Sequence, residues 1–439
     1  VKENKLSEDF FKYVTLNILG QIAFSCYTLF DTFFVSKSLG ADGLTALNLA
    51  YPVFCILNGM GLMLGIGGGI KYSILKSREN NEDADKIFTN TIYLDIIFGI
   101  LFVIIGLFFS KKVVALLGAD EKVFNLAHTY VKVLLLFAPF FITNNILQCF
   151  IRNDGNPKLS MFIMTIGSLS NIILDYIFIF PMNMGIFGAI LATCFSPVIC
   201  LMMASTYIFK GKNNFHFVKS SHHKTSIIEA LSNGIPSLLT ELTSGIVMLL
   251  FNYIILNIAG NIGVASFSII TVISLVVIAI YTGLSQGIQP LISYNFGVLN
   301  KDNLNRILKY SLISEIIISA IIYLVIYFNA NTLALIFNSQ KIQSLQNYAV
   351  SGLKLYFLAC PFIGFNIVIA TFFTATDNAK PGKLISLLRG FIILIPIALL
   401  LPTYLGIAGV WLSYPLSELI VTIISLILYI RLRKTLYYL

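Results

Sequence analysis

Apolar runs of about 20 residues, each closed by a polar or Pro/Gly cluster, recur along the whole chain, the pattern of a protein that crosses roughly 30 Å of hydrocarbon repeatedly as helix. Twelve such spans are read at approximately 13–36, 44–70, 90–109, 128–151, 158–180, 186–209, 227–257, 264–292, 309–328, 347–374, 383–401 and 407–430. The segment Val1 to Lys12 is polar and mixed in charge, so the first span is expected to serve as its own insertion signal. The reading is an all-α integral membrane protein, and composition agrees: 57% of the 439 residues are hydrophobic and 11% charged, against about 25% charged in soluble domains.

Charge orients the spans. With the N-terminus placed inside, 22 of the 29 Lys and Arg residues fall in the inner segments and 7 in the outer ones, which predicts that both termini are cytoplasmic in a plasma-membrane protein. The net charge of +9 then describes a surface facing anionic headgroups, with no call for nucleic acid.

The pattern also repeats. "PMNMGIFGA" from Pro181 and "PTYLGIAGV" from Pro402 place Pro, Gly and Gly at a constant offset of 221, which also relates "LFD" at 29–31 to "LFN" at 250–252. The loop "RNDGNPK" at 152–158 has a looser echo in "TDNAKPGK" at 376–383. Two six-helix lobes follow, 1–209 and 227–439, joined by a basic cytoplasmic linker at 210–226. Because six is even, both lobes enter from the same side, so their pseudo-two-fold axis should lie along the membrane normal.

Against this repeat the acids become informative. Asp31 and Asp175 map by the offset onto Asn252 and Pro396, so the second half lacks both. At 1.5 Å per helical residue, Asp31, Asp175 and Thr193 lie at one level, roughly 9–12 Å below the outer ends of their helices. Asn171 and Asp175 are spaced i, i+4, as are Ala189 and Thr193, and each pair shares a helix face. Hard oxygen donors of this kind suit a small cation, or a proton shared between two acids. The neutral oxygens of Asn171 and Thr193, which a dehydrated Na⁺ needs and a proton does not, favour Na⁺ at Asp31, Asn171, Asp175 and Thr193.

Glu241 and Glu418 fall near the midplane of the second half, where an acidic cavity would draw organic cations; Gln286 is the third candidate cavity residue. Asp95 and Glu315 sit near the inner ends of their spans and are expected to be solvated at the interface. Every charge far from an interface reads as acidic. Six cysteines in apolar spans make no metal pattern, "GIGGG" at 65–69 lacks a nucleotide-binding context, and His216, His222 and His223 read as a solvated linker. No Walker motif points to ATP, no cofactor is implied, and no enzymatic activity is expected.

The stretches "YTLFDTFFVSKSLGADGLTAL" from Tyr27, "CFIRNDGNPK" from Cys149, "NIILD" from Asn171, "GIPSLLTEL" from Gly234, "GLSQGIQPLISYNFG" from Gly283, "TATDNAKPGK" from Thr374 and "GVWLSYPLSEL" from Gly409 resemble the multidrug and toxic compound extrusion (MATE) family of the MOP superfamily. The resemblance implies twelve helices in two lobes flanking a central cavity, working as a monomer that exports organic cations or amphipathic drugs in exchange for inward Na⁺ or H⁺ by alternating access. It also implies a coupling-ion site whose motif lands on Asp31, Asn171, Asp175 and Thr193, with Ala189 contributing backbone, and favours a substrate role for Glu241. A lipid-linked precursor flippase of the same superfamily is the alternative, set second because an anionic headgroup calls for Arg or Lys in the cavity.

Overall fold

A computed structural model describes residues 3–219, 224–338 and 341–436, and among them every regular element is helical. The first half holds α1 (Glu3–Ser77), α2 (Asn81–Ile104), α3 (Ser110–Leu116), α4 (Glu121–Leu136), α5 (Ala138–Asn153), α6 (Pro157–Ile179) and α7 (Gly185–Phe209). The second holds α8 (Lys224–Gly297), α9 (Lys301–Phe337), α10 (Gln343–Tyr356), α11 (Cys360–Ala375), α12 (Ala379–Leu387), α13 (Leu394–Leu405) and α14 (Ile407–Leu436).

Two of these helices are far too long for one crossing. Both turn back at a glycine: α1 at Gly40 (φ 62°, ψ −147°) and α8 at Gly260 (φ 60°, ψ −158°). That region of backbone space is closed to residues with a Cβ, so glycine fixes where the chain reverses. Nine helices among the described residues are long and apolar enough to cross a membrane, the pair α4 and α5 forms a tenth crossing bent by 51°, and the reversals in α1 and α8 add two. Twelve crossings result, six in each half.

The fourth span, read as one helix over 128–151, is in fact the bent pair, because Pro139 at the start of α5 has no N–H to donate across the junction. The ninth is longer than read: α9 runs 37 residues, its first turns carrying the polar Lys301–Arg306 beyond the apolar run.

The backbone repeats with the sequence. Gly40 and Gly260 are equivalent, as are Gly185 (φ 58°) and Gly406 (φ 57°). The turn after α5 closes with Asp154 N–H to Phe150 O, Gly155 to Arg152 O and Asn156 to Ile151 O, and the turn after α11 with Thr376 to Phe372 O, Asp377 to Thr374 O and Asn378 to Phe373 O. This aligns Gly155 with Asp377, tightening the looser echo read from the sequence.

Each half has its own core, one around Val53, Leu134 and Ala189, the other around Phe251, Phe267 and Trp411. Large side chains such as Ile97, Phe108, Ile316 and Phe328 point outward, as a lipid-facing surface requires. The halves meet where α1 lies on α8. Gly67 faces the Ala230 carbonyl and Gly234 the Met63 carbonyl so closely that any side chain there would collide, the backbone-to-backbone packing that small residues allow in membranes.

Candidate cation site and central cavity

Asp31 projects from the first arm of α1, Asn171 and Asp175 from one face of α6, and Ala189 and Thr193 from one face of α7. The five meet inside the first half: Asn171, Asp175 and Ala189 are fully buried and Asp31 and Thr193 nearly so. The short turn between α6 and α7 sets these helices side by side, so the i, i+4 pairs face each other.

The Asn171 amide is satisfied when its nitrogen donates to Asp175 Oδ2 at 3.0 Å and its oxygen accepts from the Thr193 N–H at 3.2 Å. In that orientation the amide serves the acid as a donor. Thr193 Oγ1 donates to the Ala189 carbonyl at 3.1 Å. Oδ1 of Asp31 and Oδ1 of Asp175 are buried without a hydrogen-bond partner, and the two carboxylates lie within each other's field. Among the described residues no Lys or Arg pairs with either. Two uncompensated carboxylates in a dry interior cost several kcal/mol each if both are charged. The arrangement relaxes when a cation or a shared proton sits between them, and the orphaned oxygens fit such a guest. Tyr27, one turn before Asp31, and Tyr130, hydrogen-bonded to Thr193, line the same site; sequence reading missed both, since an aromatic in an apolar span carries no signal of its own.

A cavity opens between the halves, walled by Leu62 and Arg152 on one side and Glu241, Gln286, Thr371 and Arg389 on the other. Glu241 faces it, with Asn58 across the interface as its hydrogen-bond partner. Gln286 is also there, accepting from Arg152 Nη1 at 2.8 Å and from Gln21 at 3.0 Å.

Three expectations are corrected. Glu418 is not an open cavity acid: Arg389 binds it through Nε at 2.9 and 3.0 Å and through Nη2 at 2.8 Å, and Asn366 donates to it at 2.7 Å. Its charge is spent within the second half. The deep charges are not all acidic either, since Arg152 is 1% exposed and Arg389 stands on the cavity wall. Both lie near helix ends in sequence, which made them read as interfacial. Finally, Asp95 and Glu315 are buried, not solvated: Thr143 donates to Asp95 at 2.5 Å and Ser319 to Glu315 at 2.8 Å. Position along a helix gives depth but not azimuth, and both acids point inward. His222 and His223 lie outside the described residues.

A family model named MatE matches residues 17–177 and 236–400, which is most of the chain and both halves of the repeat. The chain belongs to the MatE family. Among its MatE relatives, the multidrug export protein MepA of Staphylococcus saprophyticus is 26% identical over 423 residues, covering 95% of this chain and 92% of that protein. MepA of Staphylococcus aureus strain N315 is 27% identical over 421 residues, with the same coverage of 95% and 92%. Among solved structures, an outward-facing multidrug resistance MATE transporter of the MOP superfamily superposes with a TM-score of 0.93 at 22% identity, covering 100% of this chain and 99% of that one. A MOP superfamily transporter from Pyrococcus furiosus, described as having a binding pocket of reverse polarity, gives 0.91 at 23% identity, covering 99% and 97%. At such identities the MatE fold is what these structures share with this chain.

Proposed function

We propose that this chain is a secondary active multidrug exporter that expels organic cations or amphipathic drugs from the cytoplasm in exchange for inward Na⁺. Residues 1–209 and 227–439 would move as two lobes. The observation that carries the reading is the pair Asp31 and Asp175, buried together with an unpartnered oxygen each and, among the described residues, no Lys or Arg paired with either. A permanent charge pair would have a resident partner; an uncompensated carboxylate pair fits an ion that binds and leaves. The MepA relatives support the export of drugs, and Glu241 on the cavity wall supports a cationic substrate.

Na⁺ is favoured over H⁺ because the neutral Thr193 Oγ1 stands beside the acids, and protons would compete for the same carboxylates. Coupling requires that cation and substrate bias one two-state equilibrium in opposite directions. With most Lys and Arg at the end holding the turns after α5 and α11, that end is the cytoplasmic face.

Arg152 supports a second reading. Its guanidinium stands on the cavity wall with Asn17, Gln286 and Cys149 as partners, so an anionic lipid-linked precursor would also find a charge there. The deciding experiment is efflux of a fluorescent organic cation from membrane vesicles under an imposed Na⁺ gradient or an imposed pH gradient. Sodium-driven cation efflux is expected. No cation efflux under either gradient, with transport of an anionic lipid instead, would sink the first reading.

A further inference from the structure

At the basic end, one turn beyond the glycine contacts, the two halves are tied by charge. Lys71, four residues after Gly67 on α1, reaches across the junction with its Nζ 2.7 Å from Glu229 Oε2 and 2.5 Å from Asp377 Oδ2. Glu229 immediately precedes Ala230 on α8, and Asn233, immediately before Gly234, donates to the other oxygen of Asp377 at 2.8 Å. The Lys71 and Asp377 side chains are 11% and 30% exposed, so that arm is screened less than a pair on an open surface, while Glu229, at 58%, forms the more hydrated arm. Three further bonds run alongside it: Arg78 Nε to the Gly297 carbonyl at 3.2 Å, and Asn153 with Gln289 in both directions at 3.1 and 3.0 Å.

We propose that Lys71, Glu229, Asp377 and Asn233 form a latch that holds the basic end of the transporter shut in this state. The proposal rests on the reading above, in which that end is cytoplasmic and the halves swing apart. The registry supports it. Lys71 and the acids flank the places where the two backbones touch, so any separation of the halves that opens the cavity to this face must break the ion pairs and the glycine packing in one movement. The turn equivalent to Asp377 shows that the acid is no requirement of the fold: Gly155 fills the same left-handed position with φ 89°, where Asp377 has φ 58°. Glycine adopts that backbone more readily than aspartate. Asp377→Gly should therefore fold at least as well as wild type while removing one arm of the latch.

The test is accessibility, not transport. A single reporter cysteine at Leu62, a half-buried residue on the cavity wall, is placed in a chain whose six native cysteines are replaced. It is then labelled with a membrane-impermeant maleimide in inside-out vesicles. Slow labelling is expected with Lys71 and Asp377 intact. Asp377→Gly and Lys71→Met should each raise the rate roughly fivefold or more, the lower range of a conformational coupling, and the exchanged pair Lys71→Asp with Asp377→Lys, made together with Glu229→Gln so that no second acid faces position 71, should bring it back towards the original value. Labelling at the original rate in Asp377→Gly and in Lys71→Met would overturn the latch. So would an exchanged pair as open as the single variants, since it would show that the charges do not act on one another. Either result leaves the export reading untouched, because that reading is decided by gradient-driven efflux in the unmodified chain.

Discussion

The two halves of this MatE protein share a backbone and differ in how they settle buried charge. Both reverse at an equivalent glycine, Gly40 and Gly260, and both bury an acid on the third helix of the half, Asp95 and Glu315, under a hydroxyl. In the second half Glu241 faces the cavity with Asn58 as its partner, and Glu418 is closed by Arg389 and Asn366, beside the stacked rings of Tyr356 and Tyr414 at 4.8 Å. In the first half Asp31 and Asp175 are left open, with Asn171 as the one amide donor. At the equivalent positions the second half has Asn252 and Pro396. A shared scaffold thus carries a compensated charge on one side and an uncompensated pair on the other. Burial alone therefore does not set the two sides apart; what does, among the described residues, is that Asp31 and Asp175 have no cationic partner.

Breaking the open side should have the largest effect. Asp175→Asn and Asp31→Asn each remove an ionisable ligand while lowering the cost of insertion, so gradient-driven efflux should fall to background with the protein still abundant in the membrane. Immunoblots of membranes beside efflux rates check both halves of that statement. Breaking the closed side should act on stability instead. Glu418→Gln leaves the Arg389 guanidinium buried without its partner, expected to destabilise by about 3–5 kcal/mol, whereas the joint change Arg389→Met with Glu418→Leu should be far milder. Thermal unfolding of the purified variants in detergent separates the two cases.

Smaller effects sharpen the contrast. Thr193→Val deletes one neutral oxygen without touching charge, so the Na⁺ concentration for half-maximal efflux should rise by roughly tenfold, the worth of one hydrogen bond to a charged group, with any pH-driven component spared. Glu241→Gln should weaken binding of a cationic dye by a few-fold, about 1 kcal/mol for a partly hydrated charge, leaving Na⁺ dependence unchanged. A fluorescence titration of dye against purified protein reads the second, and efflux against Na⁺ at fixed pH reads the first.

Much of this was legible in the sequence, for reasons that also explain what was not. The hydrophobic pattern gave the spans because the bilayer imposes one length on all of them, and the 221 offset gave the two halves because Gly185 and Gly406 hold equivalent turns with positive φ, where a side chain would be strained. Asp31, Asn171, Asp175, Ala189 and Thr193 were singled out from depth and i, i+4 spacing, and the structure places all five side by side. Arg152 and Arg389 were not found. Each stands near a helix end in the chain, and only the packing of α5 against α1, from which Arg152 reaches Asn17 and Gln286, and of the π-helical turn at Leu388–Ile392 against α14, carries it inward. The same gap hid the compensation of Glu418: sequence lists the charges, but pairing between helices 29 residues apart is decided by azimuth. Asp95 and Glu315 were misplaced for that reason as well.

The measurement that bears most directly on the open pair is equilibrium binding of radioactive Na⁺ to the purified protein at mildly alkaline pH, with and without the double change Asp31→Asn and Asp175→Asn. Saturable binding is expected in the original chain, lost in the double variant and suppressed as the pH is lowered, because protons occupy the same oxygens. Equal saturable binding in both proteins would place the cation elsewhere and contradict the account.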